Sequence, residues 1–431
     1  MNYDQAVEYI HDTKKYGSKL GLTNITKLLE LLGNPQEKLK FIHVAGTNGK
    51  GSVCSYIAST LIEGKYKTGL FISPYIEKFT ERIQIDFNNM KEEHLVDIVT
   101  RIQYCVGLML LNKMNHPTEF EINTAIAMVY FYEQNCDIVV LETGLGGRYD
   151  STNIIKSNIV SVITALGLDH MTVLGDSIEK IAFEKAGIIK KNCPTVLYGD
   201  NDIKAIEMIK YVAKENDSKV IMSNYQKVSK IQQTSSGYTF SYKNLKNIKI
   251  NLPGKHQIKN CITAIEALYV IRQHDYNITD DNILKGVANT YWPGRLEIIS
   301  KDPLVICDGA HNVHAAHALR TYLNEFHKNK QIIFVMGVMK NKEYKKMVEI
   351  VIKDAKSVIC IQPNNERALD KEILATEARK YCNNVYVSDT INLGMDIAYK
   401  LCDDDLICTF GSLYYIADVK KYVGEKLINE V

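Results

Sequence analysis

"HVAGTNGKGSV", residues 43–53, lies between an apolar run and a helical one, and its reading decides the fold. A phosphate loop usually spells Gly, four residues, Gly, Lys, then Ser or Thr. Here Gly46 and Gly49 stand only two residues apart, Lys50 is followed by Gly51, and the hydroxyl comes one place late, at Ser52. The stretch is either a variant nucleotide loop or a Gly-rich turn that contains a lysine. "KLKFIHVAG" before it has the texture of a buried strand. "KGSVCSYIASTLIEGKY" after it sets Val53, Ile57 and Leu61 four apart, on one helical face. Strand–loop–helix is the context a phosphate loop requires. The three glycines let backbone N–H groups approach phosphates, and the helix N-terminus adds partial positive charge. Lys50 supplies a cation, and Ser52 could reach Mg²⁺. This combination favours phosphate over a plain turn.

The pattern repeats outward. "YDQAVEYIHDTKKYG" and "NITKLLELLGNP" read as helices, the second closed by Gly33 and Pro35. "KTGLFIS", "CDIVVLET" and "NIVSVITAL" read as strands. "KEEHLVDIVTRIQYCVGLMLL", "FEINTAIAMVYFYEQ" and "SIEKIAFEKAGII" read as helices. Apolar strands alternating with helices predict a parallel sheet covered on both faces. From 226 to 251 polar alternation predicts hairpins that decorate this first domain. "YWPGRLEII" marks a junction near 295–300. Beyond it "PLVICDGA", "QIIFVMGVM", "SVICIQP", "NVYVSD" and "DLICTFGS" are the strands of a second α/β domain. At 431 residues, two or three domains are expected.

A net charge of +2 argues against a nucleic-acid or membrane-surface partner. Ten cysteines without a C-x-x-C pair read as free thiols in a reducing cytosol. The N-terminus has no signal-peptide core, and apolar runs such as "VGLMLL" fall short of a spanning helix. A cytoplasmic protein is expected.

Chemistry concentrates at strand ends, where open α/β sheets place their ligands. Glu142 in "VVLETGLGGRYDSTN" ends an apolar strand, and a carboxylate there calls for a cation. Asp169 and His170 follow another strand. If Ser73, Glu142 and His170 converge, a hydroxyl, a carboxylate and an imidazole suit Mg²⁺ or Mn²⁺ better than zinc. His311, His314 and His317 are spaced three and three, which spreads them around a helix, so a zinc site is rejected. Asp308 follows a strand, where a carboxylate could hold a ribose. Arg295 in "WPGR" could clamp a γ-phosphate as domains close.

Together these segments resemble bacterial folylpolyglutamate synthases of the Mur ligase superfamily. The resemblance runs through "HVAGTNGKGS", "SPYIEKFTERI", "TEFE", "VVLETGLGGRYDSTN", "LDH", "FEKAGII", "GKHQIKN", "WPGRLE", "DGAHN" and "FGSLY". The family's phosphate loop has the shorter ending found here. The implied architecture is α/β in two domains. Residues 1–296 form a parallel-sheet, P-loop-type ATPase domain of Mur-ligase type, and residues 297–431 a Rossmann-like α/β ligase domain. Gly49, Lys50, Gly51 and Ser52 then form the ATP loop, and Ser73, Glu142 and His170 hold magnesium. Lys185 carries a carbamate, and Asn260, Arg295, Asp308 and His311 contact the nucleotide. Lys50, Lys185, His170 and Arg295 are the catalytic set. Thr118, Glu119, Phe120 and Glu121, with Tyr149, Asp150 and Ser151, contact the pterin-bearing substrate. Tyr75 departs from the pattern, since many members carry His after Ser-Pro.

The resemblance implies ATP, two magnesium ions and, as a further candidate, a monovalent cation. It implies a monomer that joins L-glutamate to reduced folate or dihydropteroate through an acyl phosphate. Three other readings stand beside it: a muramyl-peptide ligase, a P-loop kinase or ATPase switch, and a non-catalytic binding module. "TEFE" and "GLGGRYDST" favour the folate branch over the first. A switch needs no amino acid, and a binding module does not account for Lys50, Glu142, His170 and Lys185 together.

Overall fold

The computed structural model describes residues 1–17, 21–234 and 236–429. The strands are β1 (Phe41–Ala45), β2 (Thr68–Phe71), β3 (Ile83–Ile85), β4 (Asn88–Asn89), β5 (Ile138–Glu142), β6 (Val160–Ile163), β7 (Thr195–Leu197) and β8 (Val220–Met222). They continue with β9 (Val228–Gln233), β10 (Tyr238–Tyr242), β11 (Leu245–Ile250), β12 (Glu297–Lys301), β13 (Leu304–Cys307), β14 (Ile332–Met336), β15 (Ser357–Cys360), β16 (Val385–Val387) and β17 (Leu406–Phe410). The chain packs as two compact units. One takes in Met1–Thr234, Tyr238–Asn251 and Gln257–Thr290, and the other Tyr291–Val431 with Leu252–His256.

In the first unit, β1 to β8 form one sheet in the order β4-β3-β2-β5-β1-β6-β7-β8. Strands β2, β5, β1, β6, β7 and β8 are parallel, and β3 and β4 add an antiparallel edge. β1, β5 and β6 are buried along their whole length, as a sheet covered on both faces requires. One core gathers Ile25, Leu28, Ile122, Ile126, Phe131, Val139 and Leu141; another gathers Ala45, Ile163, Ala182, Ile188, Leu197 and Ile209. Burial of each isoleucine, leucine, valine or phenylalanine side chain among them contributes roughly 1.5–3 kcal/mol. From β1 the chain moves to one side for β2 and β5, then to the other for β6 to β8. The C-terminal end of β1 is therefore a topological switch point, where sheets of this type bind ligands.

One helix among the described residues, Glu92–Leu111, is long and apolar enough to cross a membrane by length and composition. Charged and polar residues interrupt its apolar positions, so no unbroken apolar run marks it in the sequence. Its Leu95, Ile98, Val99, Ile102 and Met109 are buried in the core of the first unit.

β9, β10 and β11 form the expected antiparallel hairpins. Buried Glu266, on the helix His256–Arg272, accepts from Tyr242 Oη at 2.5 Å and from Lys243 Nζ at 2.7 Å. These bonds tie the hairpins to that helix.

In the second unit β13, β17, β14, β15 and β16 run parallel, and β12 lies antiparallel on the β13 edge. The sequence reading treated the β12 segment as part of the junction. It is a short edge strand with charged ends, and nothing local marks it until it pairs Glu297 with Cys307.

Candidate active site

The quoted stretch is strand, turn and helix. β1 ends at Ala45, and the helix Lys50–Glu63 starts from Gly49. A Cβ at Gly46 would lie 1.8 Å from Thr164 Oγ1, so the loop presses against the chain leaving β6. Thr47 N and Asn48 N both donate to the Ala165 carbonyl, at 2.9 and 3.0 Å, and Thr164 Oγ1 donates to the Asn48 carbonyl at 2.8 Å. Gly49 holds φ +81°, in the left-handed region that favours glycine, and a Cβ there would lie 2.6 Å from Asn260 Oδ1. The N–H groups of Lys50, Gly51 and Ser52 open the helix, where no intrahelical acceptor exists. A pinned loop that aims these donors and a helix N-terminus outward is an anion cradle.

Two lysines meet at this loop. Lys50 Nζ donates to the Gly46 carbonyl at 3.1 Å and to the Thr47 carbonyl at 3.4 Å. It also lies 4.0 Å from Glu142 Oε1. Lys185 comes from the last turn of the helix Ile178–Ala186 and is buried. Its Nζ donates to the same Gly46 carbonyl at 2.8 Å. Burial, then the charge of Lys50, pulls its pKa down to about 7, against the opposing pull of Asp169 and Asp150. A lysine near neutrality is an uncommon group and marks functional sites.

Glu142 ends β5 beside Val44 of β1 and is buried. Its Oε2 accepts from Ser73 N at 3.0 Å, so two of the three expected metal ligands lie side by side. His170 sits further along the loop after β6, at φ +50°, and caps the short helix Met171–Leu174. Its backbone N donates to Asp169 Oδ1 at 2.8 Å, and its Nε2 is 4.0 Å from that oxygen. Among the described residues no group of three or more His, Cys, Asp and Glu side chains is assembled. The expected trio holds only two such residues and a hydroxyl. A carboxylate is a ligand type that hard cations favour, and Glu142 with Ser73 brings oxygen chemistry of that kind to the end of β5.

The residues expected on the substrate side have partners of their own. Thr118 caps the helix Glu119–Glu133, and Glu121 Oε2 accepts from Thr118 N at 2.8 Å and Thr118 Oγ1 at 2.9 Å. Glu121 Oε1 accepts from Ile25 N at 3.2 Å, which docks the helix Thr23–Leu31. Phe120 packs on Phe71 with ring centres 5.9 Å apart. Ser151 Oγ pairs with Thr124 Oγ1 at 2.7 Å. Both oxygens of buried Asp150 accept: Oδ2 from Gly144 N and Leu145 N, Oδ1 from Thr152 N and Thr152 Oγ1. Tyr149 is exposed, with the Arg148 guanidinium 5.2 Å from its ring centre. Tyr75 stacks on His11 and lies under Arg82, and Glu119 Oε1 is 4.0 Å from His11 Nε2.

One residue the sequence reading left unassigned is Gln257. Its Nε2 donates to Ser52 Oγ at 3.2 Å, and its Oε1 accepts from Asn260 Nδ2 at 3.1 Å. Because Gln257 donates, the Ser52 hydroxyl keeps its own proton for another partner. The two residues are 205 positions apart, and only the quoted "GKHQIKN" pointed toward this helix.

In the second unit Asp308 follows β13 and is buried. It accepts from Leu296 N at 2.9 Å and Ala310 N at 2.8 Å. Burial raises its pKa, opposed by Arg295 and those two N–H groups. His311 Nδ1 lies 2.8 Å from the Gly309 carbonyl, and Asn312 caps the helix Val313–Phe326.

Fold and loop together define a nucleotide-dependent α/β enzyme. Residues 44–268 match the Mur ligase middle domain, and residues 294–413 match the Mur ligase glutamate ligase domain. The chain is 34% identical to the dihydrofolate synthase/folylpolyglutamate synthase of Bacillus subtilis, over 97% of this chain and 98% of that one. Among solved structures it resembles Mycobacterium tuberculosis folylpolyglutamate synthase complexed with ADP and AMPPCP. There the TM-score is 0.91 at 28% identity, covering 98% of this chain and 99% of that one. An Escherichia coli relative in complex with DHPP and ADP matches with a TM-score of 0.86 at 27% identity, over 98% of both chains. The chain belongs to the Mur ligase family, in its folylpolyglutamate synthase/dihydrofolate synthase branch, and is an ATP-dependent ligase.

Proposed function

We propose that this enzyme joins L-glutamate to the glutamate tail of reduced folates, and to dihydropteroate, through an acyl phosphate. The observation that carries this is the meeting of Lys50, Lys185 and Glu142 around one turn of backbone at the switch point. A phosphate-loop hydrolase accounts for Lys50 alone. A ligase must bring a phosphate and a second anion, the acceptor carboxylate, to the same place, and Glu142 with a carbamylated Lys185 would offer oxygen donors for the cations that offset their repulsion.

The nucleotide falls to Gly49, Lys50, Gly51, Ser52, Asn260, Arg295, Asp308 and His311. Ser73, Glu142 and His170 would hold Mg²⁺, whose charge offsets the repulsion between γ-phosphate and carboxylate. The N–H groups at the start of the helix Lys50–Glu63 fix the phosphates, and Lys50 meets charge as it develops on the transferred group. Gln257 orients the Ser52 hydroxyl. Lys185 is the residue that takes up CO₂. At a pKa of about 7 much of its amine is neutral near neutrality, and it attacks CO₂ to give a carbamate and a released proton. The product turns a buried cation into an anion with oxygen donors of the kind Mg²⁺ favours.

The acceptor falls to Thr118–Glu121 and Tyr149–Ser151. Asp150 and Glu121 act there by shaping backbone, since their oxygens are already engaged. Residues 1–296 and 297–431 are the two functional domains. All ten cysteines are free thiols, in keeping with a cytoplasmic site of action.

The test is an incubation with ATP, Mg²⁺ and L-glutamate, with tetrahydrofolate or dihydropteroate as acceptor. Mass spectrometry should show products one glutamyl residue heavier, with one ADP released per bond. ADP release that is independent of glutamate would overturn the reading.

A further inference from the structure

The strand that feeds the phosphate loop carries a fully buried histidine, His43, in the middle of β1. It has no place in the chemistry above. Its Nε2 lies 2.8 Å from Thr152 Oγ1, and its Nδ1 has no hydrogen-bond partner among the described residues. Thr152 Oγ1 donates to Asp150 Oδ1 at 2.5 Å. A threonine hydroxyl has one proton to give, and Asp150, with three backbone N–H groups on its oxygens, is an acceptor. Thr152 can therefore only accept from His43. The proton must sit on Nε2, and the bare nitrogen is Nδ1.

We propose that His43 is a positioning residue for the acceptor. Its Nε2–H holds Thr152, Thr152 holds Asp150, and Asp150 holds the Gly144–Leu145 turn that follows Glu142. The proposal rests on the assignment of Tyr149–Ser151 to the acceptor. The chain runs in one direction, donor to acceptor, from the middle of β1 to the loop that follows β5. Each bond in such a chain polarises the next. Burial, then the nearby Lys190, keeps the imidazole neutral, so the chain does not reverse near neutrality. His43 pairs with Leu141 of β5 and with Ser161 of β6, so its backbone is fixed on both sides. The side chain thereby ties the acceptor loop to a strand paired on both sides. Loosening it should blur the acceptor site and leave the phosphate cradle, which is pinned through Ala165 and Thr164, in place.

Two measurements on the full-length enzyme test this. Long-range proton–nitrogen NMR, with the His43 signal assigned by its loss in His43→Gln, should show a protonated Nε2 and a bare Nδ1. That pattern should hold through the range where free histidine titrates. In kinetics, His43→Leu should raise the KM for the folate acceptor about tenfold, the factor that loss of one buried hydrogen bond produces, with the KM for ATP unchanged. His43→Gln, which keeps an N–H where Nε2 stands, should restore most of the difference. A proton on Nδ1, a His43→Gln enzyme as impaired as His43→Leu, or a KM for ATP that rises with that for the acceptor would each overturn the proposal. Wild-type enzyme that makes no glutamylated product would overturn the ligase reading instead, and the NMR pattern would then judge the His43 chain by itself.

Discussion

Lys185 Nζ donates to the carbonyl of Gly46 at 2.8 Å, across 139 positions of sequence. The bond places a buried amine of pKa about 7 against the first residue of the phosphate loop. In the unfolded chain the same amine titrates near ~10.4. Between these values the unfolded chain holds the proton and the folded chain does not, so stability rises with pH across that window. Below about 7 both states are protonated, and the folded state bears the full cost of a buried ammonium. In CO₂-free buffer, urea melts should show Lys185→Met to be more stable than wild type. The gap should shrink as pH rises from about 7 toward ~10.4 and stay constant below about 7. A gap that does not change with pH would mean that the amine is not depressed. Lys185→Arg should be inactive, because a guanidinium does not take up CO₂ in this way.

Lys50→Ala should leave the fold intact and lower kcat by ~10²-fold or more, the scale of losing one preorganised charge contact. Among the described residues Lys50 meets two loop carbonyls and, at 4.0 Å, the Glu142 carboxylate, so the folded state has little to lose. Steady-state turnover with thermal melts checks both halves. Normal kcat would remove the phosphate-loop assignment.

Gly49→Ala acts through geometry. The left-handed backbone strains any L side chain by roughly 1 kcal/mol or more, and the new Cβ would meet Asn260 Oδ1 at 2.6 Å. The expected result is a lower melting temperature and weaker ATP binding, both read by calorimetry. Wild-type ATP affinity would show that this turn does not shape the nucleotide site.

Glu142→Gln keeps an oxygen for the Ser73 N–H and removes the charge. Stability should hold, and the Mg²⁺ concentration for half-maximal rate should rise by at least ~10-fold, as metal sites respond to lost ligand chemistry. An unchanged Mg²⁺ dependence would exclude Glu142 as a ligand.

Asp308→Ala removes the acceptor for both Leu296 N and Ala310 N, so it should lower the melting temperature as well as ATP affinity. Arg295→Ala leaves those backbone bonds in place and should lower kcat more than it weakens ATP binding. The reverse pattern would exchange the two roles.

The alternation of apolar strands and helices made the parallel sheets legible, and "HVAGTNGKGSV" reads as a phosphate loop between strand and helix from its residues alone. Period and punctuation report local geometry, so β1, β5, β6 and the helix after the loop were within reach. Edge strand β12 was not, because its pairing with β13 lies outside its own sequence. The site was legible as residue types at strand ends, and Ser73 does meet Glu142. The contact of Gln257 with Ser52 was not, since nothing local states which helix face will meet a loop 205 residues away. Glu121 carried a readable signal that the resemblance overshadowed: Thr118-x-x-Glu121 is a capping box, and the structure uses it as one.

The central claim is that an acceptor carboxylate is phosphorylated before glutamate attacks. It is tested most directly with an acceptor whose reacting carboxylate carries oxygen-18. With both carboxylate oxygens labelled, turnover with ATP, Mg²⁺ and L-glutamate should deliver one labelled oxygen into each phosphate released, because the amine displaces phosphate from the acyl carbon and the phosphate leaves with the oxygen that bridged it to the carbonyl. Phosphate that carries no label while the glutamylated product accumulates would contradict the account.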